Sequence, residues 1–535
     1  MDHHLISLLI FTPLAAAFAA LFIPAAQARS FRLVSLSASV VQLLILVYML
    51  IHYQPGTLQF AETYDWITLE LGSSILKVEY FVGVDGLSMP LVALSVFIML
   101  IATISSWTMQ KNVKGYFILL LILNMAIIGS FTALDFLLFY LFFEFMLLPM
   151  FFLIGMWGGP RREYASIKFF LYTLLGSILI LVVLIGLYIS VQAPNGGLQI
   201  THSFNIVHMR DPANFISQSI LDPANTWMIG LWNARQWAFL LLFIGFAIKL
   251  PIVPLHTWLP DAHVEAPTPV SVILAALLLK VGGYGIARIA FPIFPEAATH
   301  FAWFVGVVGL ITIIYGALNA MASKDLKRLI AYSSVSHMGF VLIGFASLTT
   351  EGVTGSVYQM FTHGILSAML FLLAGVLYDR TSDRLISNYS GLASKMQGYF
   401  VFILIAFFAS LGLPGFAPFI AEIMIFLGAF KSNSVNGLLH ESIAILATSG
   451  LILGAAYYLW TIQRMFFGPF NLKGGITTDQ IYDLNNREYL MLIPLALAAV
   501  LFGVFPQPLL DIINPFAQEF TDVILKTAKD ITLNP

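Results

Sequence analysis

Long uninterrupted runs of apolar residues recur along this chain. Membrane β-strands alternate apolar and polar residues over about ten positions, whereas about 20 consecutive apolar residues form an α-helix that can cross a bilayer. The pattern therefore predicts an all-α polytopic membrane protein. Roughly fourteen transmembrane helices are expected, near residues 5–25, 33–51, 87–107, 116–132, 136–157, 167–191, 236–258, 269–290, 301–320, 328–347, 356–377, 398–430, 442–466 and 490–508.

The composition supports a membrane protein and excludes other classes. Of the 535 residues, 59% are hydrophobic and only 10% are charged, and the mean hydropathy is +0.90. Soluble domains have about 25% charged residues, so a soluble or disordered protein is excluded. A pI of about 6.6 also argues against binding to nucleic acid. Because the chain has no cysteine, it has no disulfides, thiolate metal sites or thiol nucleophile of its own.

Two of the predicted helices contain residues that break a helix. The span near 236–258 runs into five prolines between Pro251 and Pro269, and the span near 398–430 contains Pro414, Gly415 and Pro418. Paired broken helices are typical of transporters that are built from inverted repeats, with a site near the middle of the membrane. We therefore expect two inverted five-helix repeats. The expected domains are N-terminal helices (1–110), a first repeat (111–295), a second repeat (296–468), and a C-terminal transmembrane helix with a tail (469–535).

Charge distribution predicts the orientation. The first apolar run ends in Ala26-Gln27-Ala28, which is similar to a signal-peptidase site. No Lys or Arg precedes this run, and its core is long, so we expect a retained helix. Most of the 25 Lys and Arg residues lie in the loops that follow odd-numbered spans. By the positive-inside rule, both termini of this multi-pass protein should lie on the non-cytoplasmic side of a bacterial cytoplasmic membrane.

Four ionisable residues fall well inside predicted spans: Glu144, Lys249, Lys280 and Glu422. Each costs free energy in a hydrocarbon environment and therefore needs a partner or a function. Burial favours the neutral form of both residue types, and a nearby opposite charge restores the charged form. Separating a Glu–Lys pair can thus change the proton affinity of the lysine. This set predicts proton transfer through the membrane.

Two histidines extend this set. His337 and His363 lie in the spans near 328–347 and 356–377. A histidine can accept a proton on one ring nitrogen and release one from the other, so both are expected to bridge Lys280 and Glu422. His256, beside the first predicted break, is a further candidate proton carrier.

Each assignment has a structural alternative. Glu144 and Lys249 can form a static ion pair, the histidines can be ordinary core residues, and Glu422 can cap broken-helix backbone. Lys168 is expected to extend to the cytoplasmic surface. A wholly structural role for the complete set is the less favoured interpretation, because a scaffold has no need of two acids and two lysines at membrane depth.

The residues around the first break also allow a metal site to be considered. His256, Asp261, His263 and Glu265 have a spacing similar to that of metal ligands, but the segment is rich in proline and has no HExxH geometry. Asp135, Asp261 and Glu265 are instead expected at the membrane interface. No nucleotide-binding or haem motif occurs, so neither a metal nor a cofactor is predicted in this chain.

The motifs around these residues resemble those of the antiporter-like subunits of respiratory complex I and of multi-subunit sodium/proton antiporters. The resemblance is carried by KLPIVPLHTWLPDAHVEAPTPVSVILAALLLKVGGYG (249–285), DLKRLIAYSSVSHMGF (325–340) and SVYQMFTHGILSAMLFLLAG (356–375), and it extends over about 80–510. Glu422 resembles the M type, because the L and N types carry lysine on the second broken helix.

The resemblance implies a function. In complex I, quinone reduction in other subunits drives protons through this type of chain, which is a non-redox subunit of NADH-quinone oxidoreductase. Glu144 and Lys249 would form the coupling pair, Lys280 the central relay and Glu422 the exit-side group. NADH, FMN, Fe–S clusters and quinone would be bound by partner subunits, which include L-like, N-like and small membrane subunits. Some relatives take electrons from ferredoxin instead.

Two function classes remain open from the sequence. One is a redox-driven proton-pump subunit, and the other is a subunit of a sodium/proton antiporter without a redox partner. Glu422 favours the first class, because the antiporter homologues resemble the L and N types.

Overall fold

In the computed structural model, helices account for most of the chain. It describes residues 4–71, 74–194, 200–225 and 227–533. In chain order the main helices are α1 (Leu5–Leu21), α2 (Ala28–His52), α3 (Ser88–Thr108), α4 (Val113–Thr132), α5 (Phe136–Trp157), α6 (Arg162–Ser190), α7 (Ala234–Lys249), α8 (Trp258–Glu265), α9 (Thr268–Ile293), α10 (Ala302–Ala322), α11 (Leu326–Ser347), α12 (Thr350–Thr381), α13 (Gln397–Ser410), α14 (Ala417–Val435), α15 (Glu441–Phe466), α16 (Asn486–Val504) and α17 (Gln507–Leu533).

Every predicted apolar range falls on one of these helices or on a pair of them. Within the described residues, eleven helices are long and apolar enough to cross a membrane, and α1 and α13 are shorter apolar helices. The polytopic helical fold is therefore confirmed, whereas fourteen crossings and the inverted repeats stay predictions. The bundle centre is formed by α9 and α12, whose most apolar stretches are completely buried, while α2 at the edge is largely exposed. Apolar side chains on exposed helix faces match a lipid environment.

Both predicted helix breaks are present. The first separates α7 from α8, and the second separates α13 from α14. Backbone groups freed at membrane depth need partners. In the first break, Val253 N–H donates to Thr312 Oγ1 on α10 at 3.2 Å, and Trp258 Nε1 donates to Ile248 O at 2.8 Å. In the second, Gly412 and Gly415 adopt positive φ angles of 68° and 94°, which glycine tolerates best.

The loops divide the molecule into two faces. One, called the basic face, contains loops 106–112, 158–161, 323–325, 382–396 and 467–485. Its segments contact one another. Lys111 Nζ donates to Met156 O near the end of α5 at 2.8 Å, Arg384 Nε lies 3.1 Å from Asp325 Oδ2, and Tyr389–Ser390 pairs as a short strand with Asn471–Leu472. The opposite face, called the hairpin face, contains residues 53–87, 191–233, 294–301 and 505–533. The loops predicted to share a side of the membrane thus lie together.

A β-hairpin on the hairpin face was not predicted. Strand β1 (Gln59–Leu71) pairs antiparallel with β2 (Ser74–Val84), and β2 pairs parallel with β3 (Ile200–Ser203). The strands lie between two apolar spans, where the search for helices about 20 residues long finds no signal.

The tail predicted after the last transmembrane helix is helical. Residues Gln507–Leu533 form the amphipathic helix α17, which packs on α12, α3 and residues 295–300. Its buried positions recur every three or four residues, at Leu509, Ile513, Ala517, Phe520 and Ile524. That spacing is the signature of a helix with one apolar face, and a search for uniformly apolar spans misses it.

The hairpin is tied to the first helix by one buried carboxylate. Glu62 Oε1 accepts hydrogen bonds from the backbone N–H groups of Ile6 (2.9 Å) and Ser7 (3.0 Å), and Glu62 Oε2 accepts one from Ser7 Oγ. These N–H groups belong to the first turn of α1, where no intrahelical acceptor is available and a negative charge is favourable.

Replacing Glu62 with alanine should therefore loosen the hairpin from α1. The expected loss is about 1–3 kcal/mol, because buried donors are left without an acceptor. Hydrogen exchange of the first turn of α1 and of β1 should become faster in the variant. Glu70→Ala is the control, since Glu70 is an exposed residue of the same strand. Equal exchange in both variants would show that Glu62 does not anchor the hairpin.

Candidate functional site

Lys280 lies at the centre of the bundle, in the completely buried helix α9. It lies between two π-helical stretches, Leu274–Leu278 and Ile286–Ala290. Such wide turns are frequent at functional sites. The Lys280 ammonium donates to Ala275 O at 2.6 Å and lies 2.7 Å from His363 Nδ1 on α12. The lysine thus has one direct titratable partner inside the membrane.

The two predicted histidines extend this contact toward the second broken helix. The rings of His363 and His337 are 5.5 Å apart between centroids, and His337 Nδ1 lies 3.9 Å from Glu422 Oε1. Gln359 Nε2 lies 3.3 Å from His337 Nδ1. The structure therefore brings together the four residues that the sequence placed in a series, from Lys280 to Glu422.

Two small cavities, each lined by polar and apolar side chains, lie beside this series. One lies beside both histidines and is lined by Ser333, Ser334 and Ser367. A second lies between His337 and Glu422 and is lined by Ser336 and Tyr457. Each has a volume of about 10 Å³, which is about the space of one water molecule. A proton could therefore cross the gaps that are too long for a direct hydrogen bond.

Glu422 is positioned by the break before α14. Its side chain is buried, and its Oε1 atom has no hydrogen-bond partner within the protein. The carboxylate packs directly against Gly412, where a Cβ atom would overlap Oε2. Glycine at position 412 is thus required both by the positive φ angle and by the acid beside it.

Lys249 and Glu144 lie close together but form no ion pair within 4 Å. Lys249 Nζ donates to the carbonyl of Phe143, the residue before Glu144, at 3.1 Å and lies 3.2 Å from the centre of the Phe143 ring. Glu144 is half-buried, and its Oε1 atom has no partner within the protein. The static ion pair considered from the sequence is therefore not formed in this structure.

Helix α9 packs directly on the first break. A Cβ atom at Gly282 would lie 2.6 Å from the Leu250 backbone nitrogen and 2.7 Å from the Phe246 oxygen. Only glycine allows this approach, which brings the helix of Lys280 against the break that follows Lys249. His256 lies in the same break; it is buried, and its Nδ1 atom has no partner within the protein.

A cavity on the basic face was missed by the sequence analysis. It has a volume of about 580 Å³ and lies between α8, α12 and α16, with charged walls formed by Glu265, Lys327, Asp379, Arg380, Arg487 and Glu488. Next to its floor, His263 is completely buried and stacks on Phe371 with ring centroids 4.3 Å apart. Neither ring nitrogen of His263 has a hydrogen-bond partner. These charges lie at the ends of different helices, so only their packing reveals a common cavity.

The structure supplies partners for three residues that were predicted near the membrane surface. The Lys168 ammonium lies 2.7 Å from Asp261 Oδ2, and Arg328 lies 3.4 Å from the other oxygen of the same carboxylate. Glu265 is buried and accepts from the Arg161 backbone N–H at 2.9 Å. Asp135 is also buried, where it caps α5 through the Leu138 N–H group at 3.0 Å.

The burial of Asp135 changes its chemistry. Desolvation raises the pKa of this carboxyl to about 7, against the opposing effect of hydrogen bonds from the backbone. An aspartate in water is ionised at neutral pH, whereas burial brings the pKa of Asp135 to about 7. Within the described residues, no group of three or more His, Asp or Glu side chains is arranged to hold a metal ion.

Comparison with known proteins places this fold and these residues in a family. Residues 133–448, more than half of the chain, match the family model described as NADH:quinone oxidoreductase/Mrp antiporter, transmembrane. NADH-quinone oxidoreductase subunit M of Rhodobacter capsulatus is 40% identical over 523 residues, which are 96% of this chain and 95% of that protein.

Two solved structures are similar in fold. A chain of respiratory complex I from Thermus thermophilus with bound NADH has a TM-score of 0.79 and 29% identity, covering 97% of this chain and 99% of that chain. A chain of the Mrp complex from Dietzia sp. DQ12-45-1b has a TM-score of 0.81 at 20% identity, covering 98% and 99%. With its two broken helices and buried lysine–histidine–glutamate series, this multi-pass membrane protein belongs to the NADH:quinone oxidoreductase/Mrp antiporter transmembrane family.

Proposed function

We propose that this chain is the M-type, proton-translocating membrane subunit of an NADH-quinone oxidoreductase. The observation that carries the proposal is the buried series Lys280–His363–His337–Glu422, which joins the bundle centre to the second broken helix. A closely spaced set of buried titratable groups has little value for a scaffold, because each group costs free energy to bury. The relatives named as subunit M support the same assignment.

The geometry supports a stepwise transfer. Lys280 accepts a proton from the basic-face side, where the charged cavity and His263 lie, and passes it to His363 across the 2.7 Å contact. His363 transfers the proton to His337, and His337 transfers it to Glu422, with one water molecule in the cavity beside each gap. Each step moves one proton, and each lysine or histidine donor becomes neutral and can accept another proton. Lys249 and Glu144 form the coupling pair, and His256 carries protons at the first break.

The redox chemistry belongs to other subunits in this proposal. NADH, FMN, Fe–S clusters and quinone bind partner chains, and this chain acts as a non-redox subunit beside L-like, N-like and small membrane subunits. The lack of cysteine fits this division, since Fe–S clusters are held by thiolates. The chain resides in a bacterial cytoplasmic membrane with the basic face toward the cytoplasm and both termini on the opposite side.

A second candidate function is a subunit of a multi-subunit sodium/proton antiporter. The fold likeness to the Mrp complex favours it. Co-purification separates the two functions: NADH- or ferredoxin-linked quinone reductase activity in the purified complex supports the pump. Isolation with small antiporter subunits and sodium/proton exchange, without quinone reductase activity, would support the antiporter.

Glu422→Gln should lower redox-driven proton pumping roughly tenfold or more, because an amide cannot accept the proton that the histidines deliver. Proton uptake by inverted membrane vesicles during NADH oxidation measures the effect. Glu351→Gln is the control, since it neutralises a partly exposed acid that is paired with Lys431 at the protein surface. If Glu422 only caps the backbone of the break, the amide will be tolerated and both variants will pump normally.

Gly412→Ala should impair pumping without removing any titratable group. The added Cβ atom displaces the Glu422 carboxylate and disturbs its distance to His337. Gly415→Ala is a matched control in the same break: its φ angle is also positive, but a Cβ atom there meets nothing within 4 Å. Equal pumping by the two alanine variants would show that the contact with Glu422 does not matter.

Glu144→Ala and Lys249→Ala should each lower coupled quinone reduction and pumping roughly tenfold or more, while the complex still assembles. Assembly should be preserved because neither side chain has an ion-pair partner within 4 Å, so neither substitution leaves an unpaired buried charge from a broken salt bridge. Quinone reductase rate, proton uptake and the amount of assembled complex are measured together. Near-normal pumping in both variants would contradict the coupling-pair role.

A further inference from the structure

A second buried charge cluster lies on α9, toward the hairpin face. Arg288 Nη1 and Nη2 donate to the two carboxylate oxygens of Asp85 at 2.6 and 2.5 Å, and Arg288 Nε donates to Tyr284 OH at 3.2 Å. Arg288 is buried, and Asp85 is largely so. The proton-transfer series described above does not use this cluster.

The cluster lies on the same helix as Lys280. Lys280, Tyr284 and Arg288 follow one another at four-residue intervals, which places them about one helical turn apart. Eight residues correspond to about 12 Å of helix. Arg288 therefore lies between Lys280 and the hairpin face along α9.

Two arginines and one aspartate form the immediate cluster, and a second acid lies near it. Arg210 Nη2 donates to the backbone oxygen of Arg288 at 3.1 Å, and Arg210 Nε is buried without a partner. Two guanidinium groups thus face Asp85, with Glu519 on α17 as a further acid near Arg210. Although burial opposes ionisation, Arg288 lowers the pKa of Asp85 to about 2, and burial lowers the pKa of Arg210 only to about 10. Both groups are charged at neutral pH.

Helix α17 closes the hairpin-face end of this line. A Cβ atom at Gly86 would clash with the Ile512 backbone oxygen and with Phe516, so the turn that follows Asp85 touches α17 directly. The Phe516 ring lies 5.8 Å from the Arg288 guanidinium. The cationic end is thus enclosed by protein and screened from solvent.

We propose that the Arg288 cation is an electrostatic plug that stops protons from escaping from Lys280 along α9 to the hairpin face. A fixed cation in a low-dielectric interior repels an approaching proton, and arginine excludes protons from selective pores in this way. The proton must then leave Lys280 through His363 and His337 toward Glu422. Arg288 acts on the proton at a distance, without touching it, and the proposal rests on the function proposed above.

The alternative is a structural latch that only ties the β2–α3 turn to α9. The two differ in what they require. A plug needs the positive charge of Arg288, whereas a latch needs the ion pair. Asp85→Asn removes the pair but keeps the cation, and Arg288→Gln removes the cation.

The experiment measures passive decay of a pH gradient in vesicles that contain the purified complex, with quinone reduction inhibited. Arg288→Gln should accelerate the decay by about tenfold, the factor that a unit charge about 12 Å away gives at an effective dielectric constant of about 20. Asp85→Asn should stay as tight as the wild type. Equal leakage from Asp85→Asn and Arg288→Gln, or no leakage from either, would overturn the plug.

The matched control is the ion pair of Arg235 and Glu296. Arg235 Nε and Nη2 donate to the Glu296 carboxylate at 2.6 and 3.1 Å, and the pair is similarly buried on the hairpin face. It joins α7 to residues 295–300 and lies outside the line from Lys280. Arg235→Gln/Glu296→Gln should not leak, and leakage equal to that of Arg288→Gln would also contradict the plug.

Lys280→Met separates this proposal from the proposed function. Added to Arg288→Gln, it should abolish the leak, because the escaping proton comes from Lys280. Lys280→Met alone should abolish pumping. If Lys280→Met pumps normally, the proposed function fails. If it does not pump but Arg288→Gln remains tight, only the plug fails.

Discussion

The contact between Lys280 and His363 is the interaction on which the rest of the site depends. An ammonium at the centre of a bundle is stable only if neighbouring groups compensate for the lost water. Here a backbone carbonyl and an imidazole nitrogen share that role at 2.6 and 2.7 Å. Because the imidazole can itself carry a proton, the group that stabilises the lysine is also the next station for its proton. Stabilisation and transfer are therefore achieved by the same contact.

The two broken helices make this arrangement possible. A continuous helix would bury its polar backbone groups and leave no room for a carboxylate beside it. The second break places Gly412 against Glu422, and the first allows α9 to approach Leu250 through Gly282. Buried side-chain atoms without a hydrogen-bond partner lie at both breaks, among them His256 Nδ1 and Glu422 Oε1. The unpaired state of Glu144 follows the same logic, since a permanent salt bridge would hold the lysine charge in place.

Much of this architecture follows from local sequence signals. The apolar runs predict the membrane helices because apolar side chains are unfavourable in water. The prolines predict the breaks because they lack a backbone N–H group. The hairpin and α17 were missed. Their signals are alternation and amphipathicity, which are weaker than a long apolar run. The ion pair of Lys168 was also missed because its partner, Asp261, lies 93 residues away, and no local pattern reveals such a pair.

The sequence by itself determined which residues are titratable, that four of them lie at membrane depth, and that the chain breaks in two helices. Only the tertiary structure decided which of those groups touch. It joined Lys280 to His363, kept Glu144 and Lys249 from forming an ion pair, and set Arg288 and Asp85 at the end of α9. The physical reason is that membrane depth follows from position within one helix, whereas contact depends on how separate helices rotate and pack against each other.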